Sequence, residues 1–239
     1  MVQSTASTRW GVLCALVAGV AFLMPLAFYF YFLPAAGSSA THAQDPVRFL
    51  PWLAEHGPVR VALWWTTALP FLVALLGVPS ALRAKLHPAS PTAAPVGEWA
   101  GVLGLFTLLV ACLMLAAGEL PLARAYVAAD AAARPAIVAT YEWQRLVTAL
   151  LFDGLGFFLI GVWILVSSAA GLRSGGLPRG LGCFGVVAAL PTFAFAAGYV
   201  TGLGWLGELG LGLLAFLTVP AWLVWLGVVL WRADRVEPA

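Results

Sequence analysis

Charge is scarce in this chain of 239 residues, with Asp, Glu, Lys and Arg together making up 9%, whereas a soluble domain carries roughly a quarter. Ten acids and twelve bases cannot cover a water-soluble globule of this size, so lipid takes the place of water as the outer solvent. The net charge of +2 is small and its bases are scattered singly, which excludes a nucleic-acid partner. Cysteine is equally sparse. Cys14, Cys112 and Cys183 lie in separate apolar runs with no C-x-x-C and no His/Cys pairing, and they read as reduced packing residues. The histidines, His42, His56 and His87, all fall in connections. No apolar run therefore offers an imidazole to haem or chlorin metal, and no cofactor or metal is expected. A nucleophile elbow, an H-E-x-x-H pair and a paired-Asp helix motif are missing too, which places enzymatic activity behind every other reading.

What the sequence has in abundance is apolar length, with 62% hydrophobic residues. A helix advances about 1.5 Å per residue, so crossing about 30 Å of hydrocarbon takes about 20 apolar residues. Six stretches qualify, at 10–33, 61–82, 99–118, 146–168, 181–201 and 209–231. They are apolar on every face, unlike the alternating strands of a barrel. The expected fold is therefore all-α, a single polytopic bundle of six transmembrane helices. The first run follows Arg9 and precedes the small-residue stretch Ala40-Thr41-His42-Ala43, as a secretory signal would, but at 24 residues it exceeds a signal core of about 7–15 and is expected to be retained.

Two connections carry structure of their own. QDPVRFLPWLAEHG, from Gln44 to Gly57, mixes Phe49, Leu50, Trp52 and Leu53 with charges, as a segment in the headgroup layer does. The Ala-rich run from Leu120 to Ala133 predicts a further helix, ended at Arg134-Pro135 by the restriction proline places on the residue before it. With the N-terminus inside, the cytoplasmic segments hold Arg9, Arg83, Lys85, Arg173, Arg179, Arg232 and Arg235, and the outer ones hold Arg48, Arg60, Arg124, Arg134 and Arg145. Both termini are then cytoplasmic, in a bacterial inner membrane whose lipids are the first partners. Trp10, Trp64, Trp65, Trp99, Trp143, Trp205 and Trp231 sit at span ends, where indoles settle at headgroup level.

An ionisable group inside a span costs at least about 2.5 kcal/mol at mid-helix and normally faces the bundle interior. Asp153 is the clear case. Glu142, Arg145, Ala149 and Asp153 follow at spacings of three, four and four, which predicts one polar face descending from the outer surface. Two explanations stand side by side: a water-filled vestibule with Asp153 as a cation or proton site on its floor, or a buried carboxylate that only fixes packing. Trp64-Trp65-Thr66-Thr67 adds rings and hydroxyls to the outer half of the second span. Glu208, in the Gly-rich stretch Gly198 to Gly212, reads first as the opening-turn acid of the sixth helix and second as a ligand. Prolines within spans, Pro25, Pro70, Pro79, Pro191 and Pro220, suit either a transporter's broken helices or static bends.

The C-terminal half, with its turn Arg173-Ser174-Gly175-Gly176-Leu177-Pro178-Arg179-Gly180-Leu181-Gly182 and its ending TVPAWLVWLGVVLWR, resembles bacterial membrane proteins of the DUF4386 type. The resemblance implies a multi-pass plan of six to seven spans and carries no assigned activity. Two functions therefore remain in view. One is a structural or accessory membrane component, associated with another membrane protein or with copies of itself. The other is a small-molecule or proton-coupled ion transporter working through Asp153.

Overall fold

A computed structural model describes residues 3–38, 45–203 and 211–236 of the chain. It is an all-α bundle, and among the described residues six helices are long and apolar enough to cross a membrane. Helix α1 (Gln3–Ala21) continues, after a break at Phe22 and Leu23, through Met24–Ala27, a π-helical turn at Phe28–Phe32 and a last turn at Leu33–Ala35. Then come α2 (Pro46–Leu86) and α3 (Ala93–Ala128). The fourth crossing is α4 (Arg134–Ala149), a π-helical segment (Leu150–Gly156) and α5 (Phe157–Ser174) in one unbroken rod. α6 (Arg179–Thr201) and α7 (Leu211–Val236) complete the bundle.

The crossings form a closed up-and-down ring. Each packs against its neighbours in sequence, and α7 returns to α1. Small residues set the spacing, as expected where lipid provides no hydrophobic drive between helices. A methyl on Gly11 would collide with Ala81 of α2. Gly97, Gly101 and Gly104 of α3 face Ser167, Trp163 and Ile160 of α5, and their spacing keeps them on one side of the helix. The turn between α5 and α6 depends on Gly175, which caps α5 at φ 68°, a left-handed conformation open to glycine.

The crossings differ in length. α6 has 23 residues and matches the hydrocarbon thickness, whereas α2 has 41, and the surplus corresponds to about 25 Å of extra helix. The excess of α2, α3 and α4 emerges at one end, hereafter distal; the proximal end holds the short turns at 87–92 and 175–178. Residues 46–57 and 120–128 are thus helical, as the sequence implies, but they are continuations of the crossings, and 129–133 form the turn into α4. His56, with non-helical φ −108° and ψ 16°, kinks α2 without ending it. Arg134-Pro135 opens α4 where a stop was expected: proline occupies its first turn, where the missing N–H has no intrahelical partner to lose. Phe49, Leu50, Leu53, Ala123, Tyr126 and Tyr141 bury one another in a distal core of their own.

Inside the ring, phenylalanines from most crossings meet at one depth. Phe22 lies 4.6 Å from Phe71, Phe71 5.9 Å from Phe152, and Phe157 contacts Phe152, Phe195 and Phe216 at 5.6, 4.9 and 5.4 Å between ring centres. This layer divides the interior into a distal and a proximal half.

The glycine face of α3 makes a direct prediction. A Cβ at Gly104 would stand 3.0 Å from the Ile160 backbone nitrogen, which has no room to retreat. Gly104→Leu is expected to destabilise the bundle by about 1–3 kcal/mol in reversible unfolding in mixed micelles, whereas Leu at lipid-facing Val187, 57% exposed, leaves stability unchanged.

Candidate functional site

The distal half of the ring contains two carboxylates in opposite circumstances. Glu119 of α3 is 2% exposed and Arg60 of α2 is 9% exposed. Arg60 donates from Nε to Oε2 at 2.9 Å and from Nη2 to Oε1 at 3.2 Å, and Trp64 Nε1 donates to Oε2 at 2.7 Å. The guanidinium also lies 4.6 Å from the Trp64 ring centre and 5.4 Å from that of Phe49. Both charges are therefore answered on every side, by a bidentate fork and by aromatic faces.

Asp153 is half-buried in the π-helical segment between α4 and α5. Among the described residues no hydrogen bond or ion pair reaches its carboxylate; the cation within electrostatic range is Arg145, one face of whose guanidinium lies 5.9 Å from the Tyr141 ring centre. Tyr29, Tyr199 and Cys112 share its field. Tyr29 comes from the other π-helical turn and lies within electrostatic range of Arg60 and Glu119 as well. Its ring is 48% exposed. Phe152, next to Asp153 in sequence, belongs to the phenylalanine layer, so the carboxylate sits at the floor of the distal half.

Wide turns explain this placement. A π-helix inserts an extra residue into the repeat and turns side chains away from the α-helical register. Gly156 gives Leu108 of α3 the space a side chain would take, and Gly154 leaves ordinary contact distance to Tyr199 and Val200. Of the face expected through Glu142, Arg145 and Asp153, Arg145 is half-buried and Glu142 is exposed although both lie in α4, and the π-helical segment changes the register between Arg145 and Asp153.

The Trp-Thr run divides by face. Trp64 is buried in the Arg60–Glu119 clasp, while Trp65 is 50% exposed. Thr66 and Thr67 both donate to helix carbonyls, Thr66 to Ala62 and Leu63 and Thr67 to Leu63, so their hydroxyl protons are engaged within α2. Glu208, Trp205 and His42 lie outside the described residues. His56 Nδ1 donates to the Trp52 carbonyl and the imidazole stacks on the Trp52 ring at 5.1 Å, and among the described residues no cluster of metal-ligating groups occurs. Arg60 and Glu119 had read as charges of the connections. The signal available for them was spacing: Arg60 and Trp64 are four apart on one helix face, directly before an apolar run.

Compared with family models, curated proteins and solved structures, the chain finds no match.

Breaking the clasp from one side strands a buried charge. Glu119→Leu is expected to lower stability by about 3–5 kcal/mol, while Arg60→Met combined with Glu119→Leu recovers most of the loss. A double-mutant cycle of unfolding free energies measures both, and a double variant whose loss equals the sum of the two single losses would show that the pair is not coupled.

Proposed function

We propose that the chain is a transporter of a small cationic solute or of protons, with Asp153 as its binding carboxylate in a distal chamber floored by the phenylalanine layer. One observation carries this reading: a carboxylate part-way along an apolar crossing, half-buried and without a hydrogen bond or ion pair among the described residues. Such a group is expensive to keep unless a ligand completes it. The Arg60–Glu119 pair neutralises itself, which leaves the Asp153 carboxylate as the acid open to a guest among the described residues. Tyr29 and Tyr199 contribute hydroxyls that either accept from or donate to a guest, and π-helical turns concentrate at functional positions.

Orientation follows from charge. Seven bases belong to the proximal end and five to the distal end by sequence. Of the distal five, Arg60 is buried and Arg145 half-buried, which leaves Arg48, Arg124 and Arg134 as the bases exposed there. This supports a proximal, cytoplasmic side with both termini on it, in the inner membrane of a bacterium, with the distal chamber facing outward and lipids as the surrounding partners. The DUF4386-type character of the C-terminal half is compatible with this plan and adds no activity.

The clasp itself favours a second reading. Arg60, Glu119 and Trp64 are closed on one another and hold α2 and α3 together at the distal end, as a structural or accessory component would require.

Asp153→Asn separates the two. In vesicles reconstituted with the full chain, transport through Asp153 predicts that dissipation of an imposed proton or monovalent-cation gradient falls at least about tenfold, equivalent to 1.4 kcal/mol at the transition state, while the circular dichroism and unfolding midpoint stay unchanged. Equal flux in both proteins, or loss of fold in the variant, would support the accessory reading.

A further inference from the structure

Helix α4 is amphipathic in the inverse sense. Its polar side chains turn toward the bundle: Gln144 donates to the Met114 carbonyl of α3 at 2.8 Å, Thr148 is buried, and the half-buried Arg145 lies 5.9 Å from the Tyr141 ring centre. Its outward face is apolar. Ala136, Ala139, Trp143, Leu146 and Leu150 are all exposed, Trp143 at 66% and both leucines at 47%. Glu142, also exposed, stands to one side, and no charge interrupts the five. At the same end of the ring the exposed faces of α2 and α3 carry Arg48, Glu55 and Arg124, as helix faces in water do.

Lipid does not account for this face. Gly154 stands beside Tyr199 and Val200, in the last turn of α6, the crossing whose length matches the hydrocarbon. Trp143 lies eleven residues nearer the distal tip and therefore about 16 Å higher along the rod, with Leu146 about 12 Å higher. The headgroup layer adds only about 5–7 Å to each side of the hydrocarbon. Helix side chains also lean toward their own N-terminus, which carries the indole of Trp143 further still from the membrane. An apolar stripe held in water at that height calls for a protein surface to cover it.

We propose that this face is the contact between two copies of the chain, independent of what Asp153 binds. The spacing selects the occupant. The five residues follow at intervals of three, four, three and four, the 3.5-residue period of a seam along which two helices pack side by side. Copies inserted in one membrane share one orientation, so a two-fold axis along the membrane normal sets α4 beside its own counterpart, parallel and level. Each seam residue then meets itself, alanine on alanine at the tip and Trp143 on Trp143 as the anchor. Leu155 and Phe158, each 48% exposed, lie below the seam on the same rod and extend the contact toward the membrane. Five large side chains offering on the order of 100 Å² each bury about 1,000 Å² between two copies, which reaches the lower bound for a specific interface.

The test uses the full chain in dilute lipid vesicles. Cys183, the exposed cysteine, is replaced by serine, and one cysteine is introduced at Ala139 or, as a control on α6, at lipid-facing Val187, 57% exposed. Under a mild oxidant Ala139→Cys is expected to give a disulfide-linked dimer and Val187→Cys none. Subunit counting by photobleaching should show pairs, and Leu146→Arg, at an exposed position, should raise the dissociation constant at least about tenfold. Single copies of the unsubstituted protein overturn the proposal, as does a dimer that Leu146→Arg leaves intact. Quenching of Trp143 fluorescence by brominated lipid, read as the difference from Trp143→Phe, would assign the face to the bilayer and overturn it as well. So would a complex with a different membrane protein formed through Trp143 in place of the pair. Should Leu146→Arg fail to fold, the Ala139 cross-link decides the matter.

Discussion

Two opposite charges withdrawn from water across adjacent helices are tolerable only if each is fully engaged, and the junction of Arg60 with Glu119 meets that condition. Arginine suits the position better than lysine would. Its fork meets both carboxylate oxygens while its flat face lies on Trp64, so packing and charge are satisfied by one group. Trp64 serves twice, as platform to the cation and as donor to the anion. Because this junction fixes α2 against α3 at the distal end of the ring, the helices can continue past it and bury Phe49, Leu50 and Leu53 against Ala123 and Tyr141. Trp52 extends the connection by donating to the Ala36 carbonyl at 2.8 Å, which ties the end of the first crossing to the same platform. At the proximal end Arg83 and Glu98 pair between the same two helices, but that contact is partly exposed and contributes far less.

The six crossings are legible in the sequence because lipid imposes a length and a uniform apolarity that few other environments demand. Their true extents are not. Beyond the hydrocarbon, α2, α3 and α4 remain helical with mixed composition, and Leu120 to Ala128 or Pro46 to His56 look like separate segments when charge is the only guide. Nothing local distinguishes a charge in a connection from a charge in a clasp, since Glu119 needs a partner 59 residues away in sequence. Asp153 was legible as an intramembrane acid, because the rule there is a matter of cost. Its surroundings were not, because the α-helical period assumed between Arg145 and Asp153 fails in the π-helical segment, and an inserted residue of that kind leaves no compositional trace. Trp64 and Trp65 show the same limit: both sit where belts form, and only the packing of α2 decides which one turns inward.

Depth organises what remains. Passing from the distal end, the interior runs from the answered pair Arg60–Glu119, through Tyr29, to the unanswered Asp153, then the phenylalanine layer, and then the orphaned indoles and hydroxyl of Trp163, Trp222 and Ser168. An interior built for packing alone would place its polar groups where they complete one another, as the clasp does, and make the rest apolar. Here groups without a partner among the described residues, Asp153 and Ser168, stand on both sides of an aromatic barrier and within the same rod, about 22 Å apart along its axis at 1.5 Å per residue. Phe152 and Phe157 of that rod touch partners from α2, α6 and α7, so a shift of the π-helical segment that re-aimed Asp153 would move the barrier with it. The crossing that carries the acid thus also carries part of the barrier and the proximal hydroxyl, so the transport proposed above would have to move all three together.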